Sequence, residues 1–180
     1  MRGGVSRQPL GVEKEICKME NNIKIIEANL ENKKHQTDII AMTLAYALDE
    51  MGNNSILPND VLLRLIPGLK TMPTTNIFLA YINENPVGIA TCFVGFSTFN
   101  ARPLLNIHDF AVLPEYRKMG ISRLLMEAVE DKARKLGCCK LTLEVNDQNS
   151  RGKHVYRAAG FEPAIGGKAK AKLLFYVKRL

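Results

Sequence analysis

Apolar residues recur along this chain with two periods, and the changes from one period to the other mark its elements. IKIIEANL, residues 23–30, reads as a strand. Ile39, Ile40, Thr43, Leu44, Ala47, Leu48 and Met51 then share one helical face, with Thr37 and Asp38 able to cap its start. A short second helix follows Pro58 and Asn59 and is predicted to end near Pro67-Gly68. NIFLAYIN at 76–83 and VGIATCFVGFST at 87–98 flank the turn residues ENP, the pattern of an antiparallel hairpin. LLNIHDFAVL, 104–113, extends this meander until Pro114 stops it. Helical spacing returns from Ile121 to Leu136, CKLTLEV at 139–145 is again a strand, Asn149 to Ala159 is a helix closed by Gly160, and KLLFYVKR at 172–179 reads as a last strand.

The predicted order is therefore strand, two helices, three strands, helix, strand, helix, strand. The strand at 104–113, the helix after it and the strand at 139–145 make one βαβ unit, so these strands should run parallel around a right-handed crossover. A mixed sheet with helices on both faces follows, an α/β fold. No repeat or low-complexity linker divides the chain, so residues 19–180 read as one domain behind a polar, aperiodic and flexible leader at 1–18.

Composition narrows the class. A chain of 180 residues that is 46% hydrophobic can bury one substantial core. No run approaches the roughly 18 consecutive apolar residues of a membrane span. The start MRGGVSRQPLGVEKEICK has no apolar signal core, which predicts a cytoplasmic protein with no membrane partner. Cys17, Cys92, Cys138 and Cys139 form neither a CxxC pair nor a Cys/His ligand set, so reduced thiols and no metal are expected. The net charge of +7 asks for an anionic partner. Without a helix-turn-helix pattern or a basic run interleaved with aromatics, nucleic acid is not that partner. The late KAKAK at 168–172 reads as a solvated basic face, with a phosphate contact as the alternative.

The stretch EYRKMGIS, 115–122, sets two cations and a glycine just before a helix, where cations oppose the helix dipole. An anion resolves the conflict. A helix start has backbone N–H groups without partners, Gly120 lets a ligand approach them, Ser122 is small, and Arg117 and Lys118 can reach phosphate oxygens. The spacing fits neither G-x-x-x-x-G-K-[ST] nor G-x-G-x-x-G, which disfavours nucleoside triphosphate and dinucleotide folds.

IHDFAVLPEYRKMGIS, 107–122, followed by LTLEVNDQNSRGKHVYRAAGF, 141–161, resembles the Gcn5-related N-acetyltransferase (GNAT) superfamily. Its pattern is a strand, R-x-x-G-x-G/A opening a helix, then N-x-x-A-x-x-hydrophobic-Y-x-x-x-G-F. The resemblance implies an acetyl-coenzyme A fold of class α/β (α+β mixed), with a mixed sheet of six to seven strands flanked by about four helices. The two central parallel strands would splay to admit the pantetheine arm. It places backbone groups of Phe110, Ala111 and Val112 on the pantetheine amides. The diphosphate would rest on Arg117, Lys118, Met119, Gly120, Ile121, Ser122 and Arg123, with Asn149 also touching the coenzyme. Lys118 stands where many members have glycine, Ser122 replaces the last Gly or Ala, and Gly152 replaces the alanine of the second motif. FSTFNARPLLNIHDFAV is weakly similar to the diamine and polyamine branch, with His108 in place of a glutamate.

Acetyl transfer to an amine needs a base, a donor for the carbonyl oxygen and help for the leaving thiolate. His108 is the base candidate because its ordinary pKa lies near working pH. Strand alternation sends His108 and Asp109 to opposite faces unless a bulge intervenes, and Asp109 and Glu144 are the weaker alternatives. The Val112 N–H can meet the oxygen. Tyr156 matches the family's phenolic acid, although by spacing alone it is a packed helix aromatic. The acceptor reads as a small primary amine. A lysine or N-terminal protein acetyltransferase is the second enzyme reading, and a silent acyl-coenzyme A sensor is the reading from another class. Dimers are common among similar proteins, so a homodimer is an available state.

Overall fold

A computed structural model describes residues 23–163 and residue 178. The elements, in chain order, are β1 (Ile23–Glu27), α1 (Lys33–Leu48), α2 (Asn59–Thr71), β2 (Thr75–Ile82), β3 (Asn85–Ser97), β4 (Arg102–Val112), a 3-10 turn (Pro114–Tyr116), α3 (Ile121–Lys135), β5 (Leu141–Leu143) and α4 (Ser150–Ala158). They form two compact units, one through Glu144 and one from Val145. No helix among the described residues is long and apolar enough to cross a membrane.

The sheet has the order β1-β2-β3-β4-β5. Pairing is antiparallel as far as β4 and parallel between β4 and β5, as the βαβ reading requires. Asn83 and Glu84 both have positive φ, +48° and +66°, which makes the tight two-residue turn that matches strand twist between β2 and β3. Five strands are described rather than six to seven. The strand read at 172–179 lies outside the described residues, as do the 1–18 leader, Cys17 and the KAKAK run.

Alternation along the strands gives each face its own partners. Ile77, Leu79, Tyr81 and Ile89 pack with Ile39 and Met42 of α1 and Ile66 and Leu69 of α2. On the opposite face Ile121 and Leu125 of α3 lie over Gly88. Helices therefore cover both faces, each burying a stripe of apolar side chains at helical spacing.

Several boundaries differ from the sequence reading, β1 ending at Glu27 among them. Asn32, not Thr37 or Asp38, caps α1, its Oδ1 accepting from the N–H groups of Lys34 and His35 at 2.9 and 3.3 Å. Asp38 is instead buried one turn in, where its Oδ2 accepts from the Tyr81 hydroxyl at 2.5 Å and pairs with Lys34 at 2.8 Å. Helix α2 passes through Pro67 to Thr71, because Ile66 and Leu69 on either side of it are anchored in the core. Strand β5 is shorter than the 139–145 read from its composition.

Candidate active site

The turn between β4 and α3 is built from local bonds that leave its amides turned away from the chain. Pro114 begins the 3-10 turn, closed by Tyr116 N–H to Leu113 O at 3.0 Å and Arg117 N–H to Pro114 O at 3.3 Å. Lys118 and Gly120 then have φ of +67° and +80°. Such a value is routine only for glycine, and at Gly120 a Cβ would meet no heavy atom within 4 Å. Conformation, not packing, explains this glycine.

Helix α3 begins without a side-chain cap, and its first bonds run from Arg123 and Leu124 N–H to Gly120 O at 3.1 and 3.2 Å. Among the described residues, the amides of Lys118, Met119, Gly120, Ile121 and Ser122 donate to no protein acceptor. A run of such donors at the positive end of a helix dipole suits an anion with several oxygens, so these residues fit a diphosphate. Lys118 is exposed, and Arg123 pairs with Glu127 at 2.7 Å on the helix surface.

Arg117 is placed differently from its sequence reading. Its Nε donates to Val112 O at 3.0 Å and its Nη2 pairs with the Asp49 carboxylate. The guanidinium is thus turned back toward β4 and the end of α1.

Strand β5 accompanies β4 only from Leu105↔Leu141 to Ile107↔Leu143, whereas β4 stays paired with β3 as far as Val112. Leu113 N–H donates to Val87 O at 3.0 Å. By antiparallel alternation, the backbone groups of Ala111 also face β3, and those of Phe110 and Val112 face the β5 side. The alternation was readable from sequence; its phase was not.

A bulge does intervene at the candidate base. Thr91 pairs with Asp109 and Cys92 with Ile107, so His108 is the extra residue. Its ring meets Phe93 edge-on, with centroids 5.7 Å apart. Phe93 and Ala111 both pack on the cluster that holds α1, and Asp109, two residues before Ala111, shares that face. His108 and Asp109 are therefore on one side, which strict alternation forbids. Glu144 is exposed beyond the end of β5.

Burial pushes the Asp109 carboxyl above the ordinary carboxylate range, and the adjacent His108 opposes the shift. Tyr46 of α1 looks onto the same place. Its phenol is raised by burial first, then by the charges of Asp109 and Asp49. Neither Tyr46 nor Asp49 carries a signal in the sequence, because only the fold brings the end of α1 to β4. Burial and Asp109 likewise push the Cys92 thiol up to about 12, which leaves it an inert core residue.

A raised carboxyl opposes folding once ionised, so its stabilising contribution is complete at low pH and is lost as pH rises through the folded-state pKa. Asp109→Asn should therefore unfold at a higher temperature than wild type at neutral pH, with the advantage vanishing in acid. Melting curves across that window check it; a less stable variant at neutral pH would contradict the sign.

The second unit carries the other motif. Asn149 caps α4, its Oδ1 accepting from Gly152 N–H at 2.7 Å. A Cβ at 152 would lie 2.7 Å from Asn149 Nδ2, so glycine in place of the pattern's alanine lets this cap close down. At the other end Gly160 has φ +85°, Phe161 N–H donates to Tyr156 O at 2.9 Å and Gly160 N–H to Arg157 O at 3.0 Å. The rings of Tyr156 and Phe161 meet edge-on at 6.1 Å. This is a Schellman cap with its apolar contact, so the spacing Y-x-x-x-G-F has a structural cause besides any chemistry at the phenol.

Residues 40–161 match the family model described as the acetyltransferase (GNAT) family. Similar proteins include a streptothricin acetyltransferase of Streptomyces lavendulae, 43% identical over 68 residues, which are 38% of this chain and 35% of that protein. A thialysine N-epsilon-acetyltransferase of Caenorhabditis elegans is 30% identical over 79 residues, 44% of this chain and 49% of that one. The chain thus spans about a third of the first of these two relatives and about half of the second. Among solved structures, an aminoglycoside N-acetyltransferase in complex with CoA superposes with a TM-score of 0.69 at 20% identity, over 88% of this chain and 95% of that one.

Proposed function

Because the chain belongs to the acetyltransferase (GNAT) family, we propose that it is a cytoplasmic N-acetyltransferase that moves an acetyl group from acetyl-coenzyme A to a primary amine of a small molecule. The observation that carries this reading is the turn at 118–122, whose five amides have no protein acceptor among the described residues. It directly follows the strand that β5 leaves after Ile107. The relatives' names concern streptothricin and thialysine, which supports a small amine over a protein acceptor.

Acetyl-coenzyme A supplies the thioester. The amides of 118–122, with Lys118, hold its diphosphate, and Phe110 and Val112 offer backbone groups to its pantetheine arm as an added strand would. The amine attacks directly in a ternary complex. His108 takes the proton that an alkyl ammonium of pKa near roughly 10 must lose. The Val112 N–H meets the oxygen on which charge grows. Tyr156 returns a proton to the departing sulfur, a modest aid because a thiol's pKa is only about 8.5.

A thiol-release screen with acetyl-, propionyl- and succinyl-coenzyme A against a panel of amines tests the proposal. Turnover with a small amine is expected, and binding without turnover on any amine would favour a sensor. Tyr156→Phe should lower turnover roughly tenfold while acetyl-coenzyme A still stabilises the protein against heat as in wild type. A lost thermal shift would make Tyr156 a binding or structural residue instead.

A further inference from the structure

Arg117 stands one residue before the amides proposed to hold the diphosphate, yet its guanidinium is committed elsewhere. Nε holds Val112 O at 3.0 Å and Nη2 holds Asp49 Oδ2. Asp49 is itself a hub. As the residue closing α1 it donates its N–H to Tyr46 O at 3.1 Å, its Oδ1 accepts from Met51 N–H at 2.9 Å, and its carbonyl accepts from Gly52 N–H at 2.9 Å. The pair is sheltered, with side chains 26% and 14% exposed, so water screens it far less than a surface pair. The planar fork of arginine also sets direction, which a lysine cannot.

Three parts therefore meet at one side chain: the end of β4, the turn that leads into α3, and the last turn of α1. That last turn carries Tyr46, which feels the charge of Asp109 beside the candidate base. We infer that Arg117 and Asp49 form a positioning strut that transmits coenzyme occupancy of the 118–122 turn to the end of α1, so that the acceptor side is set only once the coenzyme is held. This rests on the coenzyme reading above and changes one part of it: Arg117 positions and does not ligate phosphate.

Hydrogen–deuterium exchange with and without coenzyme A reads the strut directly, since it reports local opening segment by segment. In wild type, coenzyme A should slow exchange in both 118–124 and 46–52. In Asp49→Asn and in Arg117→Gln, protection of 118–124 should persist, while the coenzyme-dependent protection of 46–52 should fall by at least roughly fivefold, the lower range of coupling between sites. Arg117→Lys, which keeps the charge and loses the fork, should behave like Arg117→Gln. Undiminished protection of 46–52 in either single variant, or no response there in wild type, overturns the strut. If Arg117 were a phosphate ligand, Arg117→Gln would lose protection at 118–124 and Asp49→Asn would not, which also overturns it. Absence of protection at 118–124 in wild type would fail the coenzyme reading itself, a distinct result. Should Asp49→Asn not fold, the two Arg117 variants decide the question alone.

Discussion

Valine in place of Gly120 should weaken acetyl-coenzyme A binding by roughly two orders of magnitude and remove most of its thermal stabilisation of the protein. The backbone there has φ +80°, where a residue with a Cβ costs about 1–2 kcal/mol and a β-branched one more. Relief of that strain would pull the amides on either side out of line. Protein packing does not forbid the side chain, since a Cβ would meet nothing within 4 Å. The penalty thus falls on the ligand. Losing one or two hydrogen bonds to a charged group, each worth about 1.5–3 kcal/mol, accounts for the size of the effect. Calorimetric titration of the variant measures it, and Gly120→Ala should show a smaller loss in the same direction. An affinity within a few-fold of wild type for the valine variant would remove the main support for the diphosphate site.

His108→Ala should lower turnover by roughly 10²–10⁴, the range for a positioned general base, and leave coenzyme affinity unchanged. The bulge is what makes this expectation specific. As the extra residue between Ile107 and Asp109, His108 is turned onto the side of Phe93 and exposed to solvent. The half-buried Asp109 beside it is held by its surroundings toward the neutral form at higher pH than usual. Steady-state rates at saturating acetyl-coenzyme A, over a pH series, separate the two. Loss of the wild-type acid limb in the alanine variant fits His108 as base. Retention of that limb with near-normal turnover would hand the role to Asp109.

Much of the architecture was readable from period alone. The stripe Ile121, Leu125, Met126, Val129 and Ala133 is the buried face of α3, and the helix bounds agree with the reading to one residue. The hairpin and the parallel crossover into β5 also follow from local pattern and chain handedness, although the turn falls at Asn83-Glu84 and not on the ENP of 84–86, whose Asn85 and Pro86 belong to β3. Caps were less legible, because Asn32, Thr37 and Asp38 are all capping types and burial beneath Tyr81 claimed Asp38. The bulge at His108 left no mark in the residues, since it depends on how β4 registers against β3. Arg117 stands out in the sequence by its charge, but its partner Asp49 is 68 residues away, beyond the reach of any spacing argument.

The sequence by itself determined the order of the described elements, the glycine turn ahead of α3 and the Gly160 stop of α4, because each rests on backbone preferences and periods spanning a few neighbouring residues. Tertiary structure alone decided which face His108 occupies, that Asp109 is partly desolvated beside it, and that Arg117 turns back to Asp49. Those outcomes depend on strand register and on how α1 packs against the sheet, and both are set by the burial of the whole core.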